Sequence, residues 1–121
     1  MSEIKIENEM SFIIPVGSNI KEGITFNNND GSKLSFLMVR GDANLNGKIL
    51  VIKKKCEIEN AYFDIFFSQA GDNIVLEITI DKLIYFNRLL MIKGEYSFEF
   101  RNADNSIYNV ASESKIILVF S

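Results

Sequence analysis

The sequence predicts an all-β domain, an antiparallel β-sandwich, and three observations predict it. Apolar and polar residues alternate along Ile74–Ile80 and Glu95–Arg101, the period of strands with one face in a core and one in water. Clusters of Gly, Asn and Asp recur between short apolar runs, at the spacing of strand-joining turns. The exception is Asp81 to Lys93, apolar without clean alternation. Eight to ten short strands follow, with at most one helical turn near residues 81–90, in a single domain over residues 1–121.

The elements are read in chain order. Ile4 and Ile6 alternate with charges. Phe12–Val16 is an apolar run containing Pro15; proline donates no ladder hydrogen bond, so this run is an edge strand or stops there. Gly23–Phe26 is a short strand, and Asn27–Gly31 is a turn, because Asn, Asp and Gly tolerate left-handed backbone angles. Lys33–Arg40 is a strand with Leu34, Phe36 and Met38 on one face. Lys48–Lys53 is apolar on both faces, which suits a central strand covered on both sides. Glu57–Phe67 reads as a strand with Ala61, Phe63, Ile65 and Phe67 on one face and Asn60, Tyr62, Asp64 and Phe66 on the other. Ala70–Asn73 is a turn. Ile74, Leu76, Ile78 and Ile80 then share a core face, and slipping that strand by one residue would expose the whole row. Asp81 is placed to cap the helical turn. Asn102–Asn105 closes a hairpin, and Ile107–Ala111 and Lys115–Phe120 complete the sheet.

Composition excludes several kinds of chemistry. The chain has no histidine, so a Ser-His-Asp triad cannot form within it, and the commonest general base and metal ligand is missing. Cys56 is the single cysteine; an intrachain disulfide and a cysteine-built zinc site are excluded, and the residue reads as a small core group. A formal net charge of −3 argues against nucleic acid as the main partner, since phosphate binding wants a basic face. The N-terminus is polar and alternating, unlike a signal peptide, and no apolar run approaches the roughly 18 residues of a membrane span. Synthesis in the cytoplasm without a signal peptide is expected, with no membrane partner; assembly into a particle before lysis would need no leader.

Four further features read as structure before function. Glu57 and Glu59 share a strand face, as do Glu95 and Glu99, and all four are expected at solvated outer positions. Asn27–Gly31 lacks the acidic spacing of a calcium loop. Arg40-Gly41-Asp42 matches the integrin-ligand tripeptide, a match that chance supplies often. Lys53–Lys55 sends lysines to both faces of a strand, which implies that the strand leaves the core there or guards a sheet edge.

The clearest surplus is apolar. Tyr62 and Phe66 face away from Phe63, Ile65 and Phe67. Tyr85, Phe86, Leu89, Leu90, Met91 and Ile92 are more than one short turn needs. They either plug the open end of the sandwich or form an exposed contact surface. The interaction residues named from sequence are therefore Tyr62, Phe66, Tyr85, Phe86, Leu89 and Leu90.

The C-terminal half has an alternating strand (Ile74–Ile80), a leucine-bearing connector (Asp81–Leu90), a Gly94-Glu95-Tyr96 strand start, a polar turn at Asp104-Asn105 and a closing strand (Lys115–Phe120). In this it resembles a module of phage tail and baseplate proteins, the immunoglobulin-like N-terminal domain of baseplate upper proteins. Phe12–Gly17 and Asp30-Gly31 extend the resemblance to residues 10–120. The chain departs from the family pattern at Asn105, where glycine is commoner, and near Ser114, where a glycine often precedes the last strand. The resemblance implies an immunoglobulin-like sandwich with a structural role in the virion, no cofactor and no catalysis. The expected function is a non-catalytic assembly module of a phage or prophage particle, in contact with other proteins or with copies of itself. The alternatives are a carbohydrate- or small-ligand-binding sandwich, with Tyr62 and Phe66 as stacking groups, and a small acidic inhibitor or immunity-type protein.

Overall fold

Period-two runs fold into strands because alternate side chains can then share one core. The computed structural model describes residues 8–27, 34–56, 67–85, 89–91 and 94–121. In chain order these form β1 (Asn8–Ile13), β2 (Ile24–Thr25), β3 (Leu34–Arg40), β4 (Ile49–Cys56), β5 (Phe67–Ala70), β6 (Asn73–Thr79), α1 (Ile80–Tyr85), β7 (Leu89–Met91), β8 (Gly94–Arg101) and β9 (Lys115–Phe120). One sheet has the order β1-β4-β8-β7 and the other β2-β3-β9-β6-β5. All pairings are antiparallel. The expected all-β, two-sheet sandwich is the observed architecture.

The core lies between the sheets. Leu50, Ile52, Phe98 and Phe100 come from the first sheet; Leu37, Val39, Leu76, Ile78, Ile116, Leu118 and Phe120 come from the second. Each such side chain contributes about 1.5–3 kcal/mol by leaving water. Ile14, Ile20, Leu45 and Val110 from connecting segments, and Ile80 and Leu83 from α1, join the same cluster. The C-terminal β9 sits in the middle of its sheet, between β3 and β6.

Several expectations hold in detail. β1 is an edge strand and ends two residues before Pro15. β4 is central, with Leu50, Val51 and Ile52 all fully buried. Ala70 pairs with Asn73 across a turn in which Gly71 takes φ 63°. Asn105 takes φ 72° in the β8 hairpin, a left-handed angle that asparagine tolerates better than most residues.

Other expectations are corrected. Leu34, Phe36 and Met38 do not share a face. The register shifts between Leu34 and Phe36, and this bulge turns Leu37 and Val39 inward while Phe36 and Met38 move to the outer surface. The lysine run does not guard an edge, since β4 continues between β1 and β8 through Lys53 and Lys54; burial falls there from the fully buried Leu50, Val51 and Ile52 to the half-buried Lys53 and Lys54, and the register shifts between Lys54 and Cys56. Lys53 reaches Glu99 at 3.5 Å, and the Lys54 ammonium lies 6.0 Å from the Tyr96 ring centre.

The helical turn is also anchored differently. Thr79 Oγ1 accepts the Lys82 N–H at 3.4 Å, so Thr79 occupies the cap position. Asp81 lies inside the turn and accepts the Ser112 N–H at 2.6 Å, tying α1 to the segment before β9. Ile107–Ala111 is not a full strand. Ile107 forms a single bridge to Arg101, Tyr108 N–H donates to the Phe100 carbonyl, and the chain then departs. Most of Glu57–Phe67 lies outside the described residues.

Candidate interaction surface

Each sheet has an outer face, and the two faces differ in chemistry. On the first sheet, register aligns Glu9 with Lys53 and Ser97, Ser11 with Val51 and Glu99, and Ile13 with Ile49 and Arg101. Arg101 binds Glu99 through Nε at 2.9 Å and through Nη2. Its Nη1 donates to Glu9 at 3.0 Å and to Asn105 Oδ1 at 3.1 Å. Hydrogen bonding to Glu99 is the largest influence raising the Arg101 pKa above its ordinary value; desolvation opposes it, and the charges of Glu99 and Glu9 add to the rise. Val51 lies among these groups, fully buried although it faces outward. The outer face of this sheet is thus closed by a charge-paired network.

The second sheet is apolar outside. Phe36, Val119 and Val75 form one cross-strand row, followed by Ser68. Met38, Ile117 and Glu77 form the next, and Arg40, Lys115 and Thr79 the third. Phe36, Met38, Val75 and Val119 are partly exposed and Ile117 is nearly buried by its neighbours. Arg40 and Glu77 approach to 3.7 Å at the margin. Five contiguous apolar side chains, bounded by Thr25 and Ser68 at the sides and by Arg40, Glu77 and Lys115 at one end, have the anatomy of a contact surface.

A third feature is a half-open cleft of about 300 Å³ beside β8. It forms where the chain after Ile107 peels away from the strand, and Ile84, Ser97, Glu99 and Tyr108 line it. Tyr108 is held from behind by Lys48, whose ammonium stands 4.2 Å from the ring centre and donates to Asn102 Oδ1 at 2.7 Å. Lys53 and Glu99 also line the cleft and balance each other's charge.

The residues named from sequence are distributed as follows. Tyr62, Phe66 and Phe86 lie outside the described residues. Leu89 and Leu90 belong to β7, in register with Tyr96 and Glu95. Tyr85 ends α1 and is 81% exposed. Just before it, Ile80 and Leu83 are fully buried and Ile84 packs on the core.

Glu95 is not solvated: it is 6% exposed and has an interaction partner. Glu99 is engaged in the network above, and Glu57 and Glu59 lie outside the described residues. Arg40-Gly41-Asp42 is a bend in which a Cβ on Gly41 would stand 2.3 Å from Ser114 Oγ. Of the Asn27–Gly31 turn, only Asn27 is described.

Sequence reasoning missed the apolar outer face of the second sheet. The signal was present: Ile116–Phe120 is apolar at all five positions, which requires apolar residues on both faces of a strand. Among the described residues no group of three His, Cys, Asp or Glu side chains is placed to hold a metal, and no helix is long and apolar enough to cross a membrane. Comparison with protein-family models, with curated proteins and with solved structures gave no match.

Proposed function

We propose that this chain is a non-catalytic structural module that joins other proteins through the outer face of its second sheet. The observation that carries the reading is the double row Phe36–Val119–Val75 and Met38–Ile117, which keeps Phe36, Met38, Val75 and Val119 partly exposed on the outer face of a five-stranded sheet. Burying such a surface against another protein recovers free energy that water withholds. A sequence without histidine suits a role without acid–base chemistry. The setting we propose is a phage or prophage particle, and it rests on the resemblance carried by Ile74–Ile80, Gly94–Phe100 and Lys115–Phe120.

The test is incorporation. The gene neighbourhood should contain tail components, and a tagged chain should co-sediment with purified particles. Val75→Lys should leave the circular-dichroism spectrum intact and remove the chain from particles. A neighbouring nuclease or toxin gene, with a stoichiometric inhibited complex, would instead establish the acidic-inhibitor function. The cleft beside β8 favours a second reading, a small polar ligand held against Tyr108; a glycan array blank for the wild type rejects its carbohydrate form.

A further inference from the structure

The outer edge of β1 has the geometry of a self-pairing strand. Among the described residues no strand lies beside that edge. Ile14 donates its N–H to the Lys48 carbonyl at 2.9 Å, which sets the phase of the ladder. Antiparallel alternation then directs the backbone groups of Asn8, Met10 and Phe12 toward β4, and those of Glu9, Ser11 and Ile13 away from the sheet.

Among the described residues the usual protections of an edge are missing here. Residues 8–13 contain no lysine and no proline, and their register with β4 runs unbroken from Asn8 to Ile13. The one charge, Glu9, is paired with Arg101 at 3.0 Å. Ile13 is 67% exposed at the strand end.

We infer that two copies of this chain associate through β1, antiparallel, about a two-fold axis at Ser11, joining their first sheets into one. The inference rests on the protein-contact reading above and names a partner for a different surface. The register follows by elimination. An axis at Ser11 pairs Ser11 with Ser11 of the second copy and Glu9 with Ile13 of the second copy, so all three outward-directed residues enter the ladder. An axis at Glu9 sets two carboxylates opposite each other, which is unfavourable. An axis at Phe12 or Ile13 brings Pro15, without an N–H, opposite Glu9 or Ser11. An axis at Met10 sets Phe12 against Asn8 of the second copy, which breaks the apolar pairing on the core side. The Ser11 register also sets Met10 against Phe12 of the second copy on the core side, continuing the apolar layer. Identical patches meeting about a two-fold axis form the commonest closed assembly.

Light scattering on the eluting full chain, from micromolar to millimolar concentration, should show a concentration-dependent dimer. Ser11→Pro removes an outward-directed N–H and no bond to β4; it should weaken the dimer by about tenfold or more with an unchanged circular-dichroism spectrum. Ser11→Cys should give a covalent dimer on mild oxidation, while Asp72→Cys, at the β5–β6 turn, should not. A wild type that stays monomeric throughout, or a dimer that survives Ser11→Pro and fails to cross-link at position 11, overturns the inference. Should Ser11→Pro misfold, the cross-link decides. Val75→Lys acts on the other sheet. A Val75→Lys chain that dimerises and still enters particles therefore overturns the proposed function alone, and absence of the wild-type dimer with incorporation that Val75→Lys abolishes overturns this inference alone.

Discussion

The rings of Phe98 and Phe120 meet edge to face across the sandwich, with centroids 6.5 Å apart and planes inclined at 61°. Phe98 belongs to β8 in the first sheet and Phe120 to β9 in the second, so this pair joins the two layers near the C-terminus. Edge-to-face geometry sets the positive rim of one ring against the negative face of the other and adds to the area buried. Phe98→Ala should cost about 3–5 kcal/mol through the lost contacts and the cavity left behind. Urea unfolding monitored by tyrosine fluorescence measures it, with a lower midpoint and an unchanged slope as the expected result.

Gly23 and Gly71 both take positive φ, at 105° and 63°, but their surroundings differ. A Cβ on Gly23 would fall 2.1 Å from Phe36 Cζ, whereas nothing lies within 4 Å of one on Gly71. Gly71→Ala should cost about 1–2 kcal/mol from backbone strain alone. Gly23→Ala should cost more, because the Phe36 ring must also move. Adding Phe36→Leu should recover only that second part, which a double-mutant cycle on the unfolding free energies isolates.

The Arg101 network should be sensitive to salt and to the shape of the cation. Lysine has no planar fork with which to serve Glu99, Glu9 and Asn105 together. Arg101→Lys should lower Tm at low ionic strength, and the gap to wild type should narrow in high salt as charges are screened. Thermal scans at two salt concentrations check this, and an unchanged gap would mean that the arginine acts through packing.

Asp104 provides a pH dependence of defined sign. Its carboxylate accepts the Ser106 hydroxyl and the Ser106 N–H, and these bonds hold its pKa below the ordinary range, with a smaller contribution from the charge of Lys48. A depressed pKa contributes stability above the unfolded-state value, and that contribution is lost as pH falls through the folded-state value. Asp104→Asn should therefore be less stable than wild type near neutrality, and the difference should shrink in acid. Parallel unfolding curves from neutral to acidic pH measure it.

Asp81 links α1 to the segment that leads into β9. With Asp81→Ala the Ser112 N–H loses its acceptor, at a cost of about 1–3 kcal/mol. Asp81→Asn keeps an acceptor and should cost less. Amide exchange at Ser112 should accelerate in the alanine variant and stay close to wild type in the asparagine variant.

The sheet-forming pattern was legible wherever alternation was clean. Leu76, Ile78 and Ile80, and Tyr96, Phe98 and Phe100, are buried as their period demands. The face of β3 was not legible, because a one-residue bulge between Leu34 and Phe36 reverses the parity of everything after it. The edge reading of Lys53 and Lys54 failed because cross-strand partners, Glu99 and the Tyr96 ring, let a central strand carry charge. Those partners are more than forty positions away in the chain. Likewise Thr79 rather than Asp81 caps α1, since Asp81 is engaged by Ser112, a partner distant in sequence. The apolar surplus read from Tyr85 to Ile92 falls mostly outside the described side chains, and the burial of Ile80 and Leu83 concerns the part of α1 before it. Of the residues bet on for contact, Tyr85 alone is both described in full and strongly exposed. The apolar outer face of the second sheet needed strand order to be seen, because Phe36, Val75 and Val119 become neighbours only when β9 lies between β3 and β6.

The most direct test of the central claim, that this chain works by protein contact through the outer face of its second sheet, is hydroxyl-radical footprinting of the isolated chain against the chain in its assembly. Phe36 and Met38 are readily oxidised side chains on that face. The account predicts strong protection of both on assembly, with Val75 and Val119 following and Tyr108 in the cleft unchanged. Unchanged oxidation of Phe36 and Met38, with protection confined to Tyr108, would contradict it.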